Sequence, residues 1–176
     1  PPELLKRANE EFNIKTQVVY GTTENSPVVT GCYLDDPYEK QVNTVGRALD
    51  HIELKISNAD PDSEDFGEIL PINTSGELCT RGYQVFSGYL NDIKKTNEAI
   101  DPQRWYHTGD LAEMDEEGYI KIVGRIKDMI IRGGENIYPS EIESVLLRHE
   151  AVLDASIVGA PDERLGEIVC AYIRVE

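Results

Sequence analysis

The sequence predicts an α+β chain in two unequal parts: a large piece of one domain carrying a small antiparallel, barrel-like sheet, and the start of a smaller α+β unit. Three observations predict it. Between residues 51 and 123, apolar and polar residues alternate in short runs broken by glycine, the mark of half-buried strands in a small sheet or barrel. After Gly124 the pattern changes to an apolar triplet, a glycine pair and a helical stretch. Between the two lies the charged segment Arg125-Ile126-Lys127-Asp128. The expected division is therefore residues 1–124, a connecting segment at 125–128, and residues 129–176.

Taken in order, Leu4, Leu5, Ala8 and Phe12 have helical spacing and predict an amphipathic helix over residues 3–12. Thr16 to Tyr20 reads as a short buried strand. Ile52, Leu54 and Ile56 alternate with polar residues and predict another. Asp60-Pro61-Asp62-Ser63-Glu64-Asp65 is an acidic turn or surface loop. Strands are expected around Gly76–Cys79 and Gln84–Phe86, a brief helix from Asp92 to Ile100, and strands at Asp110–Met114 and Tyr119–Val123. The last two are joined across Asp115-Glu116-Glu117-Gly118 as a hairpin. Met129-Ile130-Ile131 predicts a strand and Arg132 to Asn136 a loop. Ser140 followed by Glu143 reads as a capping box opening a helix. Strands at 152–158 and 167–175 follow.

Composition excludes several function classes. Of 176 residues, 17 are Lys or Arg and 33 Asp or Glu, a formal net charge of −16. Gripping a nucleic-acid backbone needs clustered cations, so no nucleic-acid partner is expected. A small phosphate ligand stays open, since backbone amides, hydroxyls and a bridging cation can hold it locally. No run of eighteen apolar residues occurs, so no transmembrane segment is expected. Cys32, Cys79 and Cys170 form no C-x-x-C pair, which points to a reducing, intracellular compartment and away from structural zinc. His51, His107 and His149 are dispersed and show no ligand spacing. Pro1-Pro2-Glu3 lacks a starting Met, and both ends are expected to be cuts through a longer protein.

Three stretches carry chemistry. In Tyr20-Gly21-Thr22-Thr23-Glu24 a glycine lets backbone approach a ligand, two hydroxyls can bond phosphate oxygens, and a carboxylate can hold Mg²⁺. The same residues also read as a polar turn after a buried tyrosine. In Trp105-Tyr106-His107-Thr108-Gly109-Asp110-Leu111, Asp110 can accept hydrogen bonds from a ribose diol or cap its own turn. In Gly124 to Pro139, Arg125 can bond a ribose or phosphate, and Gly133-Gly134 can let a thin ligand pass; a charged linker and a glycine turn is the plainer reading.

The three stretches, in this order and spacing, resemble the acyl-adenylate-forming superfamily over residues 17–176. Gly76-Glu77-Leu78-Cys79-Thr80-Arg81-Gly82-Tyr83, the Thr108-Gly109-Asp110 stretch and Gly133 to Pro139 look most like the fatty acyl-CoA synthetases within it, and among those they most resemble the medium-chain group. The resemblance implies the end of a large adenylate-binding domain, a hinge at Lys127 and the start of a small mobile C-terminal domain. It implies an acid–thiol ligase that uses ATP, Mg²⁺ and coenzyme A to convert a fatty or other carboxylic acid to its thioester. By the same resemblance Tyr20 stacks on adenine, and Gly21 and Thr22 border the adenine and acyl pockets. Thr23 contacts the α-phosphate, Glu24 ligates Mg²⁺, and Asp110 and Arg125 bind the ribose. Gly133 and Gly134 line the coenzyme A path. The family's upstream phosphate loop and its lysine near the C-terminus are absent from this sequence, so the chain alone is expected to be inactive. An adenylation domain serving a carrier protein, or a silent nucleotide-binding module, are the alternatives. The mitochondrial matrix or the cytoplasm is the expected compartment.

Overall fold

The computed structural model describes residues 2–175. It divides into two compact units: Pro1–Thr108 with Ala112–Ile122, and Gly109–Leu111 with Val123–Glu176.

In the first unit, α1 (Pro2–Phe12) forms where the spacing places it. Asn13 ends it in the left-handed conformation (φ 52°), its N–H bonded to the Asn9 carbonyl. β1 (Val19–Tyr20), β2 (Thr30–Gly31) and β3 (Arg47–Ala48) make a three-stranded antiparallel sheet. β1 is shorter than the strand expected from Thr16, because Gln17 meets the segment after β2 through its side-chain amide, donated to the Cys32 carbonyl. Between β2 and β3 lies α2 (Tyr38–Asn43). The buried Asp36 carboxylate just before it accepts hydrogen bonds from the Tyr33 amide, the Tyr119 hydroxyl and the Arg47 guanidinium. That set of partners holds its pKa low against the opposing cost of burial.

β4 (Ile52–Ser57), β5 (Gly76–Gly82), α3 (Ile93–Ala99), β6 (Tyr106–Met114) and β7 (Ile120–Arg125) follow, and the strands lie side by side in that order. β4 pairs antiparallel with β5 from Ile52↔Gly82 to Ser57↔Glu77. α3 begins as its sequence predicts, with the Asp92 carboxylate accepting from the Lys95 amide. The β6–β7 turn uses Asp115, whose carboxylate accepts from the Glu117 and Tyr119 amides. Ile56, Leu78, Ala112 and Ile120 form the core, with Tyr20, Val45, Leu54, Leu70, Met114 and Ile122 packed against it. Two expectations change here. The sheet is an open four-stranded one and does not close into a barrel among the described residues. Gln84–Phe86 is not a strand: the chain turns after Gly82, and the Phe86 amide goes to the Glu24 carbonyl instead of a sheet partner.

The second unit contains β8 (Ile130–Arg132), β9 (Glu135–Ile137), α4 (Pro139–Leu146), β10 (Val152–Asp162) and β11 (Gly166–Val175), in sheet order β10-β11-β8-β9. Gly133 and Gly134 are the two-residue loop of the β8–β9 hairpin, with φ of 62° and 89°. Positive φ at both positions is what a tight hairpin of natural twist requires, and glycine supplies it without strain. The capping box does not form. Tyr138 is the N-cap and Pro139 the first helical residue. Ser140 therefore lies inside α4 and donates its hydroxyl to the Val123 carbonyl, while the Glu143 carboxylate accepts from the Ile157 amide.

Side chains also tie β5 to β6 across the first unit. His107 Nδ1 lies 2.7 Å from Glu77 Oε2 and 3.5 Å from the buried Cys79 sulfur, and Nε2 lies 3.8 Å from Asp101 Oδ2. Cys79 and then Glu77 push the imidazole pKa up to about 10. A folded pKa above the unfolded value of about 6.5 adds stability that is complete below pH 6.5 and lost as pH rises toward 10. His107→Gln should therefore lower the melting temperature at pH 6 more than at pH 10, and a loss independent of pH would dissociate His107 from this tie. A second expectation concerns the core. Leu78 is fully buried and Leu90 is 90% exposed. Leu78→Ala should cost about 2–5 kcal/mol in denaturant unfolding, whereas Leu90→Ala should stay within about 0.5 kcal/mol; similar losses in both would misplace the core.

Candidate functional site

The first group of candidate residues follows β1. Tyr20 ends the strand and packs against the core. Gly21 is required by the chain itself: a Cβ there would sit 1.7 Å from the Pro27 carbonyl oxygen. Thr23–Asn25 then form a single 3₁₀ turn, closed by Ser26 in the left-handed conformation. That turn is anchored from below. Asn25 is fully buried, and its side-chain oxygen accepts from the Thr80 hydroxyl of β5 at 2.9 Å.

Anchoring Asn25 leaves its neighbours facing outward. Gly21 and Thr23 are exposed, and Glu24 is half-buried. The Glu24 carbonyl takes the Phe86 amide and its Oε1 takes the Tyr89 hydroxyl, each at 2.9 Å. Phe86 sits edge-on to both Tyr89, at 4.9 Å, and Tyr106, at 5.9 Å. The Glu24 carboxyl is held below its ordinary range by its own backbone N–H first, and then, against burial, by the Tyr89 hydroxyl. Burial, and then this carboxylate, push the Tyr89 phenol up to about 12. Around one short turn there are thus a hydroxyl, exposed backbone and a carboxylate fixed in its ionised form. Such a set suits phosphate oxygens and a hard cation.

The remaining candidates lie in the second unit. Asp110 sits within β6 and its side chain is only 8% exposed; Arg125 ends β7 and its side chain is 57% exposed. Arg125 Nε lies 3.0 Å from Asp110 Oδ1. Asp110 is therefore a strand residue in an ion pair rather than a turn residue capping its own backbone. The half-exposed guanidinium keeps donors directed to solvent beside an acceptor carboxylate, a combination that matches a vicinal diol. Lys127 is exposed in the 3₁₀ turn Ile126–Asp128, where a charged linker was the plainer expectation. Gly133 and Gly134 form the hairpin loop already described. The structure thus joins Asp110 to Arg125, and gathers Tyr20 to Glu24 in the other unit.

Sequence reasoning missed Phe86 and Tyr89, which support Glu24, and the grouping of Glu77, Cys79 and His107. The available signal for the second was the i, i+2 spacing of Glu77 and Cys79, which puts both on one face of β5. Their meeting with His107 depends on β5 lying beside β6.

Comparison with known proteins identifies the family. The model of the AMP-binding enzyme family matches residues 1–90, and that of the AMP-binding enzyme C-terminal domain matches residues 141–176. The medium-chain acyl-CoA ligase ACSF2, mitochondrial, of Homo sapiens is 48% identical over the whole of this chain. This chain spans 28% of that protein's length. Among solved structures, ATP-bound MatB from Rhodopseudomonas palustris superposes with a TM-score of 0.90 at 30% identity, covering 99% of this chain and 33% of that one. The o-succinylbenzoate CoA synthetase MenE from Bacillus subtilis, in complex with the acyl-adenylate OSB-AMP, gives 0.85 at 32%, covering 100% and 34%. With more than half its residues matched by the principal family model, this chain belongs to the AMP-binding enzymes.

Proposed function

We propose that the protein containing this chain is an ATP-dependent acid–thiol ligase for medium-chain fatty acids. It joins a carboxylate to AMP and then passes the acyl group to coenzyme A. The observation that carries this reading is 48% identity along the entire chain to a medium-chain acyl-CoA ligase. Of the two compartments expected, the mitochondrial matrix and the cytoplasm, the mitochondrial name of that relative favours the matrix. Among the described residues no helix is long and apolar enough to cross a membrane.

In this reading Tyr20 stacks on adenine, with Gly21 and Thr22 along the edge of the adenine and acyl pockets. Asp110 and Arg125 hold the ribose diol. Thr23 donates its hydroxyl to the α-phosphate, where negative charge grows as the carboxylate attacks and pyrophosphate leaves. Glu24 is the residue that would hold Mg²⁺. Its ionised, half-buried oxygen donor suits that hard cation, which when bound supplies charge neutralisation on the phosphates. Adenylation converts a poor leaving group into AMP, and the thiol of coenzyme A then displaces it. The two half-reactions need different groups at one centre, which assigns Lys127 to a hinge and the Gly133-Gly134 loop to the pantetheine path.

Three measurements on the complete protein test the assignments. Asp110→Ala should raise the KM for ATP roughly ten- to a hundredfold, the equivalent of about 1.5–3 kcal/mol for hydrogen bonds to a charged group. The KM for fatty acid should hardly move; unchanged ATP kinetics would remove Asp110 from the site. Lys127→Pro fixes φ near about −65° and deletes a backbone donor. Adenylate formation should survive it while thioester formation falls steeply, and equal losses in both would place the hinge elsewhere. Pyrophosphate exchange should respond to medium-chain fatty acids. A response to amino acids instead would favour an adenylation domain serving a carrier protein, and no exchange at all a silent nucleotide-binding module.

A further inference from the structure

The Glu77, Cys79 and His107 side chains are not used by the reaction proposed above, yet they bring three different metal-ligand types together. One oxygen, one sulfur and one ring nitrogen all lie within 4.8 Å of one another. Glu77 and Cys79 come from one face of β5, and His107 is the second residue of β6. We propose that Glu77 Oε2, Cys79 Sγ and His107 Nδ1 form a binding site for a borderline-soft divalent cation of the zinc type, with solvent in a fourth position.

The spacing supports this. Metal–nitrogen bonds of about 2.0–2.1 Å and metal–sulfur bonds of about 2.3 Å in a tetrahedral site put sulfur and nitrogen about 3.5 Å apart. Cys79 Sγ and His107 Nδ1 are 3.5 Å apart. The Glu77 oxygen, at 2.7 Å from Nδ1, must retreat by roughly 0.6–0.8 Å to reach the oxygen–nitrogen separation of about 3.3–3.5 Å in such a site. Rotation of its flexible side chain supplies that without moving either strand.

The surroundings are those of a metal site as well. When Nδ1 is the ligand, the remaining ring N–H is on Nε2, and Asp101 Oδ2 stands 3.8 Å from that atom. Asp101 is itself fixed, its Oδ1 accepting from the Trp105 amide at 2.8 Å. At that distance Asp101 is an electrostatic neighbour of the ring rather than a hydrogen-bond partner, and it would have to close by several tenths of an ångström to orient a ligating histidine. The Ser57 hydroxyl lies 3.3 Å from Cys79 Sγ, positioned to donate to a bound thiolate. Cys79 is fully buried, but the side chains of His107 and Glu77 are 27% and 13% exposed and give the cation its approach and the fourth, solvent position. Binding releases the thiol proton and the Nδ1 proton to solvent. Thiolate and imidazole donors select against Mg²⁺ and Ca²⁺, so this site is chemically separate from the one assigned to Glu24.

Cobalt(II) is the probe, because a thiolate bound to it gives a charge-transfer absorption that oxygen and nitrogen ligands do not. The complete protein, stripped with chelator, should develop that band with saturation at one cobalt per chain, and zinc should abolish it. Cys79→Ser should eliminate the band, whereas Cys32→Ser and Cys170→Ser should retain it. Glu77→Gln and His107→Gln, which keep the thiol, should weaken cobalt binding about tenfold or more. They serve as the test should Cys79→Ser fail to fold. Absence of the band, its survival in Cys79→Ser, or unchanged cobalt affinity in both Glu77→Gln and His107→Gln would overturn the proposal. None of these readouts depends on ligase activity.

Discussion

The interaction on which the first unit depends is the alternation of side chains along β5. This strand has neighbours on both sides, β4 and β6, and both of its faces carry weight. On one face Leu78 fills the core, and Thr80 reaches the buried Asn25. On the other, Glu77 and Cys79 meet His107. A one-residue slip in register would exchange the two faces. It would place a carboxylate in the core and leave the turn bearing Glu24 without its anchor.

The Thr80–Asn25 hydrogen bond is the link from packing to chemistry. The Asn25 amide nitrogen is buried without a partner, so losing the Thr80 bond would leave both ends of a buried amide unpaired, a cost that favours this arrangement of the turn. With Asn25 directed inward, residues on either side of it are directed outward. The Glu24 carboxylate is then held by Tyr89, and its carbonyl by the Phe86 amide. The aromatic trio Phe86, Tyr89 and Tyr106 holds those two contacts in place, in edge-on pairs that rigid rings maintain at small entropic cost.

In the second unit, electrostatics takes the role that burial plays in the first. Asp110 is almost completely removed from water, and a buried carboxylate needs a partner. Arg125 provides it from the end of β7, while the rest of its guanidinium stays in solvent. Ile126–Asp128 follows at once as a single 3₁₀ turn with Lys127 exposed.

Local sequence determined a good part of this protein. Helical spacing placed α1, alternation placed β4, and Asp115 to Gly118 specified the β6–β7 turn, because these depend on neighbours within a few residues. The order of three short motifs was sufficient to indicate the family. Tertiary structure decided the rest. Ser140 and Glu143 have the spacing of a capping box, but Val123 and Ile157 offered partners that the local sequence does not contain. Gln84–Phe86 has strand-forming composition, yet the Glu24 carbonyl took the Phe86 amide. The open edge of the sheet, the Asp110–Arg125 pair and the Glu77–Cys79–His107 group likewise join residues distant along the chain. Such contacts form only when strands align side by side, and no periodicity within a single segment encodes which strand will be the neighbour.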